Sequence, residues 1–211
     1  FYPVFGASFN LLLGSLTVRS QLPLFFDCIG TAIVAIIAGP VLGMATGLTT
    51  TVLGGVYFAY DLAFAPVGIF IGAAVGLLAR RGAFKKLSWT IFSGLGMGLG
   101  AGVISVYVLI FSFSGRPRKG PENLTKFYEL IFQDERVAII LQGLTSDVLD
   151  KVFTVLIACL VLRFMPRALA RHYTVTFNSE VLRKVLDAPD PRAESDASAT
   201  HARRAKQHAS A

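Results

Sequence analysis

The sequence predicts an all-α membrane protein: a six-transmembrane-helix bundle over residues 1–173 and a disordered tail over 174–211. Three observations predict it. Of 211 residues, 54% are hydrophobic and 16% charged, and mean hydropathy is +0.61, an excess that a soluble core does not need. Apolar stretches nearly free of charge recur at 1–18, 22–60, 62–79, 87–114 and 137–162, each able to supply the ~20 helical residues that cross a bilayer. Short basic loops separate them.

The first stretch, centred near Leu11, lacks the charged start and small-residue cleavage site of a signal peptide, so a retained helix is expected. It carries a strip of small or polar residues, Gly6, Asn10 and Gly14, with Ala7 alongside. Residues four apart share a helix face, so this strip faces either another helix of the chain or a separate subunit. The second stretch is about twice a span, and Gly39-Pro40 divides it into helices centred near Ile33 and Val52. Helices four and five are centred near Phe70 and Gly100. Their glycines recur every fourth residue, at Gly68, Gly72 and Gly76 and at Gly94, Gly98 and Gly102. Such stripes let backbones approach closely; neither follows a strand nor carries GxxxxGK[ST], so packing is favoured over a phosphate-binding loop.

Between helices five and six lies "SGRPRKGPENLTKFYELIFQDER", in which Leu124, Phe127, Tyr128 and Ile131 predict a short amphipathic helix over 124–132. It is either a lid or a linker. Helix six is centred near Leu156. After Tyr173 the chain turns rich in Ala, Ser, Pro and mixed charge, a disordered composition.

The positive-inside rule places "ARRGAFKK" (Arg80, Arg81, Lys85, Lys86) and the exit "RFMPRALARHY" (Arg163, Arg167, Arg171) in the cytoplasm. Six spans put both termini there too, in a multi-pass plasma-membrane protein. Tyr57, Phe58, Tyr60 and Trp89 are then interfacial aromatics. The net charge of +7 is mostly this cytoplasmic excess; no groove-reading module accompanies it, which argues against nucleic acid as a partner. Cys28 and Cys159 have no CxxC or zinc-type spacing, and His172, His201 and His208 all lie beyond the last helix. No metal, cofactor or catalytic constellation is expected: the chain has no HExxH and no serine–histidine arrangement, so an enzyme is not the reading.

The chemistry lies in "LQGLTSDVLDKV". At 100° per residue Gly143, Ser146, Asp147, Asp150, Lys151 and Thr154 share one helix face, and Val148, Leu149, Val152 and Val155 the other. Asp147 is about 16 Å below Arg136, near mid-bilayer. Helix two adds Asp27 and Thr31, one turn apart, with Asp27 a turn or so below the outer surface. Intramembrane ions need partners. Asp147 and Lys151 can pair at i, i+4. One lysine does not neutralise three carboxylates, which favours a ligand with a cationic or proton-donating part. Asp27 is expected to converge with the Asp147, Asp150 and Lys151 face in one outward cavity. The alternative is an ion network that pins helix two to helix six.

"LPLFFDCIGTAIVAIIAGPVLGMATGL", the late "SDVLDK" helix and the "RFMPRAL" exit together resemble the substrate-binding S component of energy-coupling factor (ECF) transporters, from about Asn10 to Arg167. The resemblance implies a six-helix protein that captures a vitamin or metal ion from outside. It implies as partners a transmembrane coupling subunit and a pair of cytoplasmic ATPases, with the lipid bilayer around them. The family's AxxxA motif in helix one is here the Gly6, Asn10, Gly14 strip, expected to dock the coupling subunit. The expected substrate-binding set is Asp27, Thr31, Ser146, Asp147, Asp150 and Lys151. Two rival classes are an autonomous proton-coupled carrier and a membrane sensor region.

Overall fold

The computed structural model describes residues 1–20, 24–113 and 122–164. The elements among them are all helical: α1 (Tyr2–Ser20), α2 (Ile29–Ala38), α3 (Pro40–Tyr57), α4 (Ala65–Arg80), α5 (Leu87–Phe113), α6 (Glu122–Phe132) and α7 (Glu135–Arg163), with 3-10 turns at Ala59–Phe64 and Ala83–Lys85. The expected tail over 174–211, with Arg167 and Arg171, lies outside the described residues. Two helical segments, Ala59–Arg80 and Leu87–Phe113, are long and apolar enough to cross a membrane.

Local chemistry sets the boundaries. Pro40 begins α3 and Pro66 lies in the first turn of α4, where the missing N–H costs nothing. Gly39 between α2 and α3 has φ +89, a conformation glycine adopts freely. A Cβ there would lie 2.9 Å from the Arg80 guanidinium, which therefore sits against the C-terminal end of α2, where a cation is favourable. Asp134 caps α7, accepting the N–H groups of Arg136 and Val137 at 2.8 and 3.2 Å.

The glycine stripes do what their spacing predicts. On α4, Gly68, Gly72 and Gly76 meet the backbones of Gly47, Gly43 and Pro40. On α5, Gly94, Gly98 and Gly102 meet Val152, Val148 and Leu144 of α7. Numbers rise along one helix as they fall along its neighbour, so both pairs are antiparallel. With no side chain in the way, backbones touch. Val155, expected on the face away from the charges, is fully buried. The reason is that α7 has neighbours on two sides, α5 and α2, so its buried arc is wider than its polar face.

Alternating directions gather Arg80, Arg81, Lys85, Lys86 and Arg163 at one end of the bundle. At the other end the Tyr60 ring lies tilted against Phe64 and Phe113, with ring centroids 5.1 and 4.1 Å apart. The helix α6, between α5 and α7, starts at Glu122, two residues earlier than the apolar spacing marks, and Tyr128 ties it to Thr145 of α7 by a 2.8 Å hydrogen bond.

α2 departs most from expectation. It has only ten residues, about 15 Å, half of a ~30 Å hydrocarbon core. Eight of those residues are buried, so it is the central helix. Residues 24–28 lead into it without helical structure.

Polar and apolar groups are inverted relative to a water-soluble domain. Asn10 and Asp150 are 0% and Lys151 2% exposed, whereas Phe5, Leu12, Val52, Val56, Phe92 and Phe111 stand out from the surface. Contiguous exposed apolar area on this scale marks contact with lipid or another protein.

Candidate functional site

The non-helical lead-in to α2 creates a problem that α7 solves. Backbone N–H groups buried away from water need acceptors, and an irregular segment supplies none of its own. Phe25 and Phe26 both donate their backbone N–H to Oδ1 of Asp150, each at 2.8 Å. The Phe25 carbonyl accepts the Thr17 hydroxyl of α1 at 2.7 Å. Phe26 has φ +51, unusual for a bulky residue, and is held there by these contacts. Asp150 thus links the segment to α7.

The second Asp150 oxygen, Oδ2, accepts from Lys151 Nζ at 2.5 Å. Asp150 therefore accepts from three donors among the described residues, through both of its oxygens. Lys151 Nζ also lies 3.8 Å from Asp147 Oδ1, and the Ser105 side chain of α5 hydrogen-bonds that carboxylate. Ser146, next to Asp147, accepts from Gln142 at 3.0 Å. One turn beyond Asp150, Thr154 is buried, and its hydroxyl has no hydrogen-bond partner among the described residues.

Asp27 is exposed, and its Oδ1 accepts from the Cys28 thiol at 3.1 Å. It stands within electrostatic reach of Lys151 without bonding to it. The structure therefore brings the residues beside Asp27, rather than its own carboxylate, into contact with the α7 charges. Asp150 lies midway along α7, so this junction is deep in the bundle rather than one turn from its end.

Thr31 belongs to a different network. Asn10 Nδ2 donates to the hydroxyls of Thr31 at 2.8 Å and Thr50 at 2.9 Å, and Asn10 Oδ1 accepts the Gly30 N–H at 2.6 Å. This joins α1, α2 and α3 in a fully satisfied buried cluster. It also bears on the small-residue strip of α1. A Cβ on Gly6 would lie 2.7 Å from Thr46, 2.9 Å from Val34 and 3.1 Å from the Gly30 carbonyl, and one on Gly14 would lie 3.5 Å from Asp27. Gly6 and Asn10 therefore pack inside the chain, against α2 and α3, whereas Gly14 is half-buried beside exposed Asp27.

Three contributors escaped the sequence reading: Ser105, Gln142 and the Phe25 and Phe26 backbone. Gln142 was detectable, four residues before Ser146 on an otherwise apolar run, and Ser105 follows Gly102 by one turn on the glycine face. Backbone donors carry no residue signature. Among the described residues no group of His, Cys, Asp and Glu is arranged to hold a metal ion.

In chemical terms the junction offers one committed carboxylate, Asp150, and two with acceptor capacity left, Asp147 and Asp27. Comparison with known families, characterised proteins and solved structures finds no match for this chain.

Proposed function

We propose that this chain is the membrane-embedded substrate-binding subunit of an ATP-driven importer of the ECF type, crossing the plasma membrane six times with both termini in the cytoplasm. It captures a vitamin or other small molecule from outside. The observation that carries this reading is the junction itself: three ionisable groups of α7 buried beside a non-helical segment that leads into a half-length helix. Broken helices that pair irregular backbone with buried charge are how membrane transporters build solute sites. The outward apolar surface and the basic end support the membrane placement.

In this reading Asp150 and Lys151 are the frame, fixing residues 25 and 26. Asp27 and Asp147 receive the cationic or proton-donating part of the ligand, and the Thr154 hydroxyl offers a further polar contact. Because the segment hangs on one carboxylate, a ligand that competes for Lys151 also loosens the segment, coupling occupancy to shape. α2 completes its crossing through residues 24–28. Gly6 and Asn10 are internal, so the coupling subunit docks at the basic end.

The test is uptake and composition together. The full chain purified from its own membrane in mild detergent is expected to bring a second multi-helix subunit and an ATPase pair. Uptake by the complex should stop on ATP depletion and survive an uncoupler. Uptake by the lone chain that an uncoupler abolishes would instead identify an autonomous proton-coupled carrier.

A further inference from the structure

Between α4 and α5, on the outer surface, runs a groove of about 620 Å³. Its walls are Phe70, Ala74 and Leu78 on one side and Phe92, Gly96 and Met97 on the other. Phe70 closes the far end: its ring occupies the space beside Gly100, 2.5 Å from where a Cβ would be. At the other end lie Trp89 and Arg81, and among the described residues no carboxylate lines the groove. α4 and α5 belong to the two segments apolar enough to cross a membrane. From Phe70 to Arg81 the groove runs about 16 Å, the depth of one leaflet of a ~30 Å hydrocarbon core.

An apolar trough one leaflet deep with a single guanidinium at its interfacial end has the shape and polarity of an amphiphile with an anionic head. Lys85 and Lys86 follow Arg81 on the same short loop and add to the positive field there. Basic pockets between membrane helices take acidic headgroups, and a guanidinium binds phosphate through paired donors. A partner helix would instead leave Arg81 desolvated against an apolar side chain. We infer that this groove is a binding site for an anionic phospholipid, with an acyl chain between α4 and α5 and the phosphate on Arg81. The inference rests on the membrane placement of α4 and α5 and is independent of transport.

Trp89 is the sole tryptophan of the chain, so its fluorescence reads the groove directly. The full chain is reconstituted in phosphatidylcholine vesicles with a minor fraction of lipid bearing brominated acyl chains, as phosphatidylglycerol or as phosphatidylcholine. Brominated phosphatidylglycerol should quench Trp89 at a roughly fivefold lower fraction than brominated phosphatidylcholine, as one basic contact near the surface implies. Arg81→Gln should bring the two curves together. Gly96→Leu, where an added Cβ meets nothing within 4 Å, should fill the groove and remove the strong quenching without disturbing the fold. Millimolar inorganic phosphate should not compete, since it lacks the chain. Equal quenching by both lipids in the wild type, or a preference that persists in Arg81→Gln, would overturn the site and leave the membrane placement standing. Quenching by neither lipid would overturn the placement of α4 and α5 as well.

Discussion

Asp150→Asn is expected to lower the melting temperature of the purified chain by on the order of 10 °C, the largest effect of any single polar substitution here. The asparagine oxygen still accepts from Phe25 and Phe26, so the backbone link survives in part. What fails is the pairing of Lys151, 2% exposed and 2.5 Å from the Asp150 oxygen. It would face an amide, with Asp147 at 3.8 Å and Asp27, which does not bond to it, as the nearby anions. Stranding a buried charge typically costs about 3–5 kcal/mol, whereas removing both partners costs far less. Asp150→Asn combined with Lys151→Met should therefore be more stable than Asp150→Asn alone. Thermal unfolding of the two single variants and the double variant reads this directly. Additive losses would show that the two side chains do not depend on each other.

The second large effect is steric. Gly47→Ala would place a Cβ 2.1 Å from the Gly68 carbonyl oxygen, and Gly72→Ala one 2.2 Å from the Gly43 carbonyl carbon. Both obstacles are backbone, so no rotamer change relieves them and α3 must move off α4 along its length. Overpacking of this kind costs about 1–3 kcal/mol, and at such distances the upper end or beyond. Gly96→Ala is the internal control, since it meets nothing within 4 Å and gains helix propensity of up to ~1 kcal/mol. Folded yield and melting temperature should fall for Gly47→Ala and Gly72→Ala and hold or rise for Gly96→Ala. Equal behaviour of the three would contradict the α3–α4 contact.

These contrasts show what the sequence makes legible. Glycines at fourfold spacing announce close helix contacts, and the break at Gly39-Pro40 announces itself, because each is a local consequence of residue type. The amphipathic stretch that forms α6 is legible for the same reason. Which neighbour a stripe meets is a tertiary matter, so Gly6 and Asn10, open in sequence to an inner or outer role, prove internal only once α1 packs on both α2 and α3. The shortness of α2 is also hidden. "LPLFFDCIG" is as apolar as a helix, and hydropathy does not distinguish helical from extended backbone. Phe26 takes a positive φ with no glycine to signal it. The role of Asp150 follows from those hidden features. Its partners include two backbone N–H groups, invisible to any pattern of side chains, so the sequence marks the charge but not what it holds.

The central claim is that the junction of α7 with residues 24–28 is a ligand site in which Asp27 and Asp147 contact the bound molecule. Asp147→Asn leaves Lys151 paired with Asp150, and Asp27 is exposed, so both variants should fold. The measurement is mass spectrometry of small molecules retained by the full chain purified from its native membrane, beside the same preparations of Asp27→Asn and Asp147→Asn. The expected result is one compound with a cationic or proton-donating group, retained by the wild type and depleted more than tenfold in both variants at unchanged melting temperature, since a hydrogen bond to a charged group is worth about 1.5–3 kcal/mol. Equal retention in all three preparations, or no retained compound in the folded wild type, would contradict the account and leave the buried charges as the fastening of α2 to α7.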